Sequence, residues 1–184
     1  MIEVILPGNK VVLREKRLED GWKDYSWRID EDLARLDATI PLRMSFHEYL
    51  RFYREELKYP TPWSRQFAID TLDGEHIGNC MYYDINAATE AAELGIMIGE
   101  KHYWNKGYGY DAMVTLSEHV FYSTSLIKLY LHTLEWNTRA KRAFQNSGFI
   151  ETGIVKRKDK TFRYMELTRA HWINIRTEKL AEPD

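Results

Sequence analysis

The sequence contains a single cysteine, Cys80, among its 184 residues. An internal disulfide is therefore impossible, and the cysteine content is that of a protein from a reducing compartment. The sequence also lacks eighteen consecutive uncharged apolar residues, the length that a membrane-spanning helix requires. Its first residues lack the basic segment and long apolar run of a secretory signal. We therefore expect a soluble protein of the cytoplasm with no membrane partner.

Positive charge is too scarce for a typical nucleic-acid-binding protein. The chain has 26 Lys and Arg against 28 Asp and Glu, a net charge of −2, whereas nucleic-acid binders usually present a clearly basic face. The six histidines show no pair at metal-ligand spacing, and no serine occupies a nucleophile elbow. The composition therefore predicts no nucleic-acid partner and no metal site.

The balance of apolar residues (44%) and charged residues (29%) is typical of a globular domain. A chain of this length is most simply one domain, residues 1–184, and buries about 70% of its unfolded-state surface. No repeat, linker or low-complexity segment divides it. We therefore expect a single domain with a substantial core.

Hydrophobic periodicity predicts an α/β domain with a mixed sheet of about seven strands. The clearest helix start is Ser45, which forms a capping box with Glu48. Asp73 and Gly74 predict a hairpin turn. The expected strands are 10–14, 65–71, 76–85, 90–99, 128–134, 149–157 and 162–167, and the expected helices are 18–27, 29–37, 45–58, 109–122, 137–147 and 169–180.

The stretch from Glu93 to Asp111 predicts a strand, a turn and the start of a helix, with Gly107 and Gly109 where the helix begins. A helix N-terminus leaves N–H groups unpaired and carries a partial positive charge. Glycine there lets an anion approach without meeting a Cβ. The turn therefore predicts a phosphate or pyrophosphate site.

Gly107, Gly109 and Ala112 also fit the loose dinucleotide-binding pattern of glycine, glycine and alanine. In that fold the first glycine stands at the end of the strand, but here seven mostly polar residues, 100–106, intervene. A Rossmann domain also normally opens with its glycine turn, whereas a β-meander precedes this one. Dinucleotide binding is therefore the weaker interpretation.

Two separated motifs resemble the GCN5-related N-acetyltransferases, the GNAT family, and in particular its ribosomal-protein alanine and spermidine acetyltransferase branch. The first, from Ile98 to Ala112, is similar to the family's acetyl-CoA pyrophosphate loop, and the second runs from Asn137 to Phe149. The order of predicted elements agrees with the family over nearly the whole chain. The resemblance implies helices on both faces of the mixed sheet and a CoA cleft between two splayed parallel strands.

The resemblance further implies acetyl-CoA as co-substrate, with its pantetheine bound by backbone groups and its pyrophosphate wrapped by the amides of the glycine turn. Arg139, Lys141 and Arg142 would lie near its 3′-phosphate, although a solvated helix face is the commoner explanation for such residues. The implied binding residues are Met97, Ile98, Trp104, Asn105, Lys106, Gly107, Tyr108, Gly109, Tyr110, Asn137, Arg139 and Arg142.

Several of these residues also have an ordinary structural explanation. Trp104 and Tyr108 are plausible packing aromatics, and Lys106 is plausible as a solvated lysine. Asn137 is a good helix cap without any further role. The sequence leaves both readings open at each of these positions.

Acetyl transfer requires a neutral amine, and with a pKa near 10.4 only about one alkylamine in a thousand is unprotonated at neutral pH. A base therefore accelerates the reaction. By resemblance the catalytic candidates are Glu93, as this base, and Asn137. An exposed carboxylate on a strand face is the alternative for Glu93. Phe144 departs from the family, because many members have a tyrosine there that protonates the leaving thiolate.

The resemblance assigns the acceptor slot to residues 20–60 and to the hairpin at 156–164, without identifying the acceptor. A protein N-terminus, a polyamine, an amino sugar and an aminoglycoside all remain open. Two functions follow: an N-acetyltransferase acting on a primary amine, or a non-catalytic acyl-CoA-binding sensor or interaction module. The family also makes a homodimer an expectation.

Overall fold

The computed structural model describes residues 4–181, which form one eight-stranded sheet with helices on both faces. The strands are β1 (Ile5–Pro7), β2 (Val11–Glu15), β3 (Arg65–Thr71), β4 (His76–Asn86), β5 (Ala91–Ile98), β6 (Lys128–Leu134), β7 (Ile150–Arg157) and β8 (Lys160–Thr168). The helices are α1 (Gly21–Ile29), α2 (Glu31–Leu36), α3 (Phe46–Lys58), α4 (Tyr108–Ser123), α5 (Thr138–Asn146) and α6 (Arg169–Ala181). The spatial order is β1-β2-β3-β4-β5-β6-β8-β7.

The predicted mixed sheet is confirmed, but it has eight strands rather than seven. The additional strand, Ile5–Pro7, pairs antiparallel with β2. Three residues ending in proline are too short for an alternating pattern to be recognised. The first predicted helix is divided into a 3-10 turn at Leu18–Asp20 followed by α1.

Helix α4 covers one face of the sheet. Its apolar residues Ala112, Met113, Leu116 and Val120 are fully buried in the main core cluster. Because side chains alternate along a strand, the opposite face carries a different set of residues. Asn79 of β4 projects there and donates a hydrogen bond to Asp24 of α1 at 2.7 Å. The sheet therefore separates an α4 side from an α1 side.

Strands β5 and β6 are the only parallel neighbours in the described sheet, and they pair over a short distance. Ala91–Glu93 pairs with Lys128–Tyr130, and the two strands then part. Past that point β5 remains paired with β4, and β6 with β8. The predicted splay is confirmed, and it opens a cleft at the carboxyl ends of two parallel strands, where α/β proteins bind ligands.

Asp111 anchors the turn between β1 and β2 to the first turn of α4. It is 3% exposed. Its carboxylate accepts hydrogen bonds from the backbone N–H groups of Asn9, Lys10 and Val11 at 3.1, 2.7 and 3.0 Å. A Cβ at Gly8 would lie 2.5 Å from Asp111 Oδ2, so the turn approaches this closely only with glycine. These bonds fix the start of α4.

Replacing Asp111 with asparagine should destabilise the protein by about 2 to 3 kcal/mol, because an amide NH2 would face buried N–H donors. Urea unfolding of Asp111→Asn and of wild type would measure the difference. Asp159→Asn, an exposed position in the turn between β7 and β8, is the matched control and should stay within about 0.5 kcal/mol of wild type. Equal stability of Asp111→Asn and Asp159→Asn would show that the hydrogen bonds of Asp111 do not stabilise the fold.

A buried charge network attaches α1 to the sheet. His76 of β4 lies between two carboxylates, with Nδ1 3.2 Å from Asp70 and Nε2 3.2 Å from Asp24. Asp70 also pairs with Arg14, and Asp24 with Lys16. Although burial lowers the pKa of His76, its hydrogen bonds to Asp24 and Asp70 outweigh burial and raise that pKa. Protonated His76 therefore bridges α1 and the sheet.

The raised pKa of His76 predicts a stability that falls as the pH rises. Its contribution is complete below about pH 6.5, the unfolded-state value, and disappears as the pH passes the higher folded-state pKa. We expect the free energy of unfolding to fall between pH 6 and pH 9 by roughly 1.5 to 3 kcal/mol, the usual contribution of a hydrogen bond to a charged group.

Urea unfolding across this pH range tests the effect with two variants. His76→Asn should flatten the pH dependence, whereas His47→Asn, at an exposed position of α3, should preserve it. If the free energy of unfolding depends on pH equally in wild type and His76→Asn, groups other than His76 cause that dependence.

Candidate active site

A cavity of about 510 Å³ lies at the carboxyl ends of β5 and β6. Its walls are the end of β5, the turn before α4, the first residues of α4, helix α5 and the C-terminal part of α2. The predicted cofactor residues that line it are Met97, Ile98, Trp104, Asn105, Gly107, Tyr108, Gly109, Tyr110, Asn137, Arg139 and Arg142. Lys106 is exposed and lies outside this lining. Leu33, Leu36 and Asp37 of the α2 region also line the cavity; they lie within residues 20–60, which were predicted for the acceptor slot and not for the cofactor.

The turn at the start of α4 has the geometry of an anion site. Gly107 is the N-cap with φ +86°, a left-handed conformation that favours glycine, and no side chain caps the helix. Gly109 needs no glycine for protein packing, since a Cβ there would meet only Ile98 Cγ1, at 3.7 Å. Space at a helix N-terminus is what a pyrophosphate requires. The turn therefore fits the pyrophosphate of acetyl-CoA.

The register of β5 decides which peptide groups face the cleft. Gly99 N donates to Ile77 O on β4, so peptide groups two residues earlier, at Met97, also face β4. Those of Ile96 and Ile98 face the opposite way, into the cleft. Trp104 Nε1 donates to Ile98 O at 2.7 Å and folds the turn back over the strand end. The peptide groups of Ile96 and Ile98 therefore face the cleft, whereas Met97, the other predicted backbone contact, turns its peptide groups toward β4.

Cationic side chains surround the turn. The Arg139 guanidinium stacks on the Trp104 ring with 3.5 Å to the centroid, and burial lowers its pKa. Arg142 lies one helical turn further along the same cavity wall. Lys10, distant in sequence, donates to Lys106 O at 3.1 Å and lies 5.6 Å from the Tyr108 ring. Lys10 was missed because nothing local in the sequence links the β1–β2 turn to this loop.

The second motif supplies the far wall of the cavity. Asn137 is the N-cap of α5 and accepts from Ala140 N at 3.2 Å, as expected of a cap. Its side-chain nitrogen makes no hydrogen bond with another described residue, and it lines the cavity. Phe144 is buried in the same wall and has no proton to donate. Asn137 therefore caps α5 and also lines the cavity.

Glu93 lies where β5 and β6 begin to part, and it is bound to a histidine. His132 of β6 is 2.7 Å from Glu93, between Nδ1 and Oε1. Glu93 is 9% exposed, so the alternative of an exposed strand carboxylate is wrong. Tyr83 of β4 is directly opposite Glu93, and burial followed by this carboxylate raises the pKa of Tyr83. The other histidine nitrogen, Nε2, is 3.2 Å from the Arg157 guanidinium.

Aromatic rings and carboxylates surround the Glu93–His132 pair. The rings of Tyr164 and Tyr130 lie 5.1 and 6.0 Å from the His132 ring. Burial, then the Glu93 charge, raises the pKa of Tyr130. Asp37, which lines the cavity, also acts on Tyr83. The α1 side of the sheet thus has a negative, aromatic cluster. Asp37 also lines the cavity, whereas Glu93 and His132 lie outside its lining.

His132 and its neighbours could be found only with the strand register. Glu93 is directly opposite Tyr83 and Tyr130, and His132 is opposite Tyr164, so all five side chains share one face. In sequence they are spread over four strands and more than eighty residues. The sequence showed that residues alternate along β6, but it did not show which strands pair with β6.

Two kinds of feature are absent from the part of the chain that the structure describes. Within residues 4–181, no helix combines the length and apolarity needed to cross a membrane. The same residues contain no group of three or more His, Cys, Asp and Glu side chains able to hold a metal ion.

Comparison with known proteins agrees with this geometry. The model of the acetyltransferase (GNAT) domain family matches residues 10–150. A spermidine N(1)-acetyltransferase of Vibrio cholerae is 26% identical over 128 residues, which cover 69% of this chain and 72% of that protein.

Solved structures share the fold at lower sequence identity. A Vibrio cholerae spermidine N-acetyltransferase in complex with CoA and spermine superposes with a TM-score of 0.78 at 20% identity, covering 89% of this chain and 98% of that one. An aminoglycoside acetyltransferase in complex with coenzyme A gives 0.75 at 20% identity, covering 90% and 99%. With the family model covering most of the sequence, the chain belongs to the GNAT family of N-acetyltransferases, whose co-substrate is acetyl-CoA.

Proposed function

We propose that this N-acetyltransferase acetylates a primary amine on a small polycationic acceptor, a polyamine or an aminoglycoside. The observation that carries the proposal is the Glu93–His132 pair, enclosed by tyrosines and carboxylates at the point where β5 and β6 part. A proton acceptor and a cation-attracting surface thus meet on β5, the strand whose end, from Ile96 on, lines the cavity.

The cavity residues would hold acetyl-CoA in a fixed orientation. The N-terminal turn of α4 binds the pyrophosphate, because its amides and partial positive charge face the space left by Gly107 and Gly109. Arg139 and Arg142 meet the remaining phosphate charge. The cleft-facing peptide groups of β5 bind the pantetheine arm. The thioester then lies toward the parting point of the strands, near Glu93.

The acceptor site favours a cation for electrostatic reasons. Glu93, Asp84 and Asp37 all act on Tyr83 and add to the effect of burial in raising its pKa, as expected in a negative local potential. Tyrosine faces attract ammonium groups as well. Arg157 is the opposing charge nearby, and its exposed position on β7 lets it move aside. A polycation would use the carboxylates for binding and present one amine to the base.

The leaving group needs no acid from Phe144. An ordinary thiol has a pKa near 8.5, so a thiolate can depart near neutral pH at modest cost. The demanding step is removal of a proton from the amine, and the Glu93–His132 pair provides the basic groups for it.

Similarity to known enzymes supports the acceptor class. The curated relative is a spermidine N(1)-acetyltransferase, and the matching structures include spermidine and aminoglycoside acetyltransferases. All of these named acceptors carry several amines. The charge pattern of this chain agrees with that class.

A panel of amines tests the proposal through release of free thiol from acetyl-CoA. We expect kcat/KM for spermidine or an aminoglycoside to exceed that for taurine, an amine with an anionic group, by at least about tenfold, since roughly 1.4 kcal/mol of charge preference gives that ratio. Propylamine serves as the monocationic control. If CoA raises the Tm but no amine elicits thiol release, the proposed function is refuted.

Arg139 should contribute to recognition of the cofactor's phosphates. Arg139→Gln should raise the KM for acetyl-CoA about tenfold, because a charge-assisted contact worth about 1.5 kcal/mol or more is lost. The loss should be smaller for the 3′-dephospho analogue if the contact is to that phosphate. Arg51→Gln, exposed on α3, is the matched control and should leave both KM values unchanged. An unchanged KM for Arg139→Gln would remove this residue from the binding site.

A further inference from the structure

The surroundings of Glu93 restrict its role in the proposed reaction. One carboxylate oxygen, Oε1, is bound to His132 Nδ1 at 2.7 Å, and the side chain is nearly buried. The bond to His132 and the burial restrict the direct access of an amine to this carboxylate. A proton can instead reach the pair through the imidazole ring.

The hydrogen bonds of His132 identify the atom that can accept a proton. Nδ1 carries its hydrogen toward the Glu93 carboxylate, so in the neutral ring Nε2 has the lone pair. The Arg157 guanidinium, which has no acceptor atoms, donates to that nitrogen at 3.2 Å. The same two contacts therefore fix both the tautomer and the direction of the free lone pair.

The position of the Arg157 guanidinium shows where a cationic donor can bind next to His132 Nε2. Its guanidinium lies in front of Nε2 although it belongs to an exposed residue at the end of β7. Tyr164 and Phe162 complete the surroundings of the ring, with centroids 5.1 and 6.5 Å away. A substrate ammonium has the charge and N–H donors of Arg157, and can replace it once the arginine moves toward solvent.

We propose, on the basis of the function proposed above, that His132 Nε2 is the atom that takes the proton from the acceptor amine, and that Glu93 is a positioning residue that holds the ring. Arg157 occupies the ammonium position in the absence of the acceptor. Glu93 thus acts through His132 rather than on the substrate.

The step balances in protons and electrons. R–NH3⁺ gives one proton to Nε2, and the neutral amine attacks the thioester carbonyl carbon. The N–C bond forms and the C–S bond breaks. The second N–H proton goes to the departing sulfur, and the His132 imidazolium returns its proton to water. The sum is R–NH3⁺ and acetyl-CoA giving the amide, CoA thiol and one H⁺.

His132→Asn tests the assignment, because asparagine can still donate toward Glu93 but has no Nε2. Using the acceptor that the amine panel identifies, we expect kcat to fall roughly 10²- to 10³-fold, the range of general-base catalysis, with the KM for acetyl-CoA unchanged. Glu93→Gln should lower kcat to a similar extent. The double variant should be no slower than the worse single variant, since the two residues act in series.

The pH profile separates this role from a structural one. The groups that face His132 or its neighbours are Glu93, Tyr83, Asp84, Tyr130, Tyr164, Glu166, Arg157 and Asp37. None of them is a histidine, the side-chain type that ordinarily titrates between pH 5 and 8. The pH profile of kcat should therefore change in His132→Asn, whereas an unchanged profile would assign His132 a structural role only.

The outcomes distinguish the two proposals. If wild type acetylates an amine and His132→Asn retains most of its kcat, while Glu93→Gln does not, Glu93 is the direct base and the His132 proposal is wrong. If wild type acetylates no amine, both proposals fail together. His132→Gln, which keeps the length of the side chain, replaces His132→Asn if that variant does not fold, with the same expected loss.

Discussion

The parting of β5 from β6 is the constraint on which the rest of the site depends. Three residue pairs hold the two parallel strands together, and beyond them each strand remains paired only with its other neighbour. The peptide groups of β5 that would have bonded β6 are left facing an open cleft. This divergence creates a place for an extended ligand to bind the backbone, and it leaves Glu93 and His132 at the last point where the strands touch.

Buried ionic contacts hold the surroundings of this cleft in place. Asp111 ties α4 to the first hairpin on one side of the sheet, and His76 ties α1 to β4 on the other. Helix α4 places its N-terminal turn at the cavity, and α2, which follows α1, lines the same cavity with Leu33 and Leu36. A buried charge is costly unless it is fully hydrogen-bonded, and here each carboxylate has several donors. The two sides of the active site are thus positioned by polar contacts as well as by the apolar core.

Glu93, His132 and Arg157 form a row of hydrogen-bonded side chains on the α1 side of the sheet. A carboxylate, an imidazole and a guanidinium follow one another from the buried sheet face to the exposed end of β7. In the proposed reaction, the buried carboxylate holds the imidazole ring, and the exposed arginine gives way to the substrate cation. Phe144 has no proton to donate, so the proposed reaction depends on this row for its proton transfer.

Local signals in the sequence determined the elements and the cofactor loop. The capping box at Ser45, the glycines at 107 and 109 and the alternation of the strands depend on neighbours within a few residues, so they can be read without a fold. The three-residue β1 was too short for such a signal. Tertiary structure alone decided which residues meet across the sheet: Lys10 beside Lys106, His132 beside Glu93, and Arg157 beside His132. The physical reason is that strand register, which a single sequence does not specify, sets which side chains share a face and which peptide groups face the cleft.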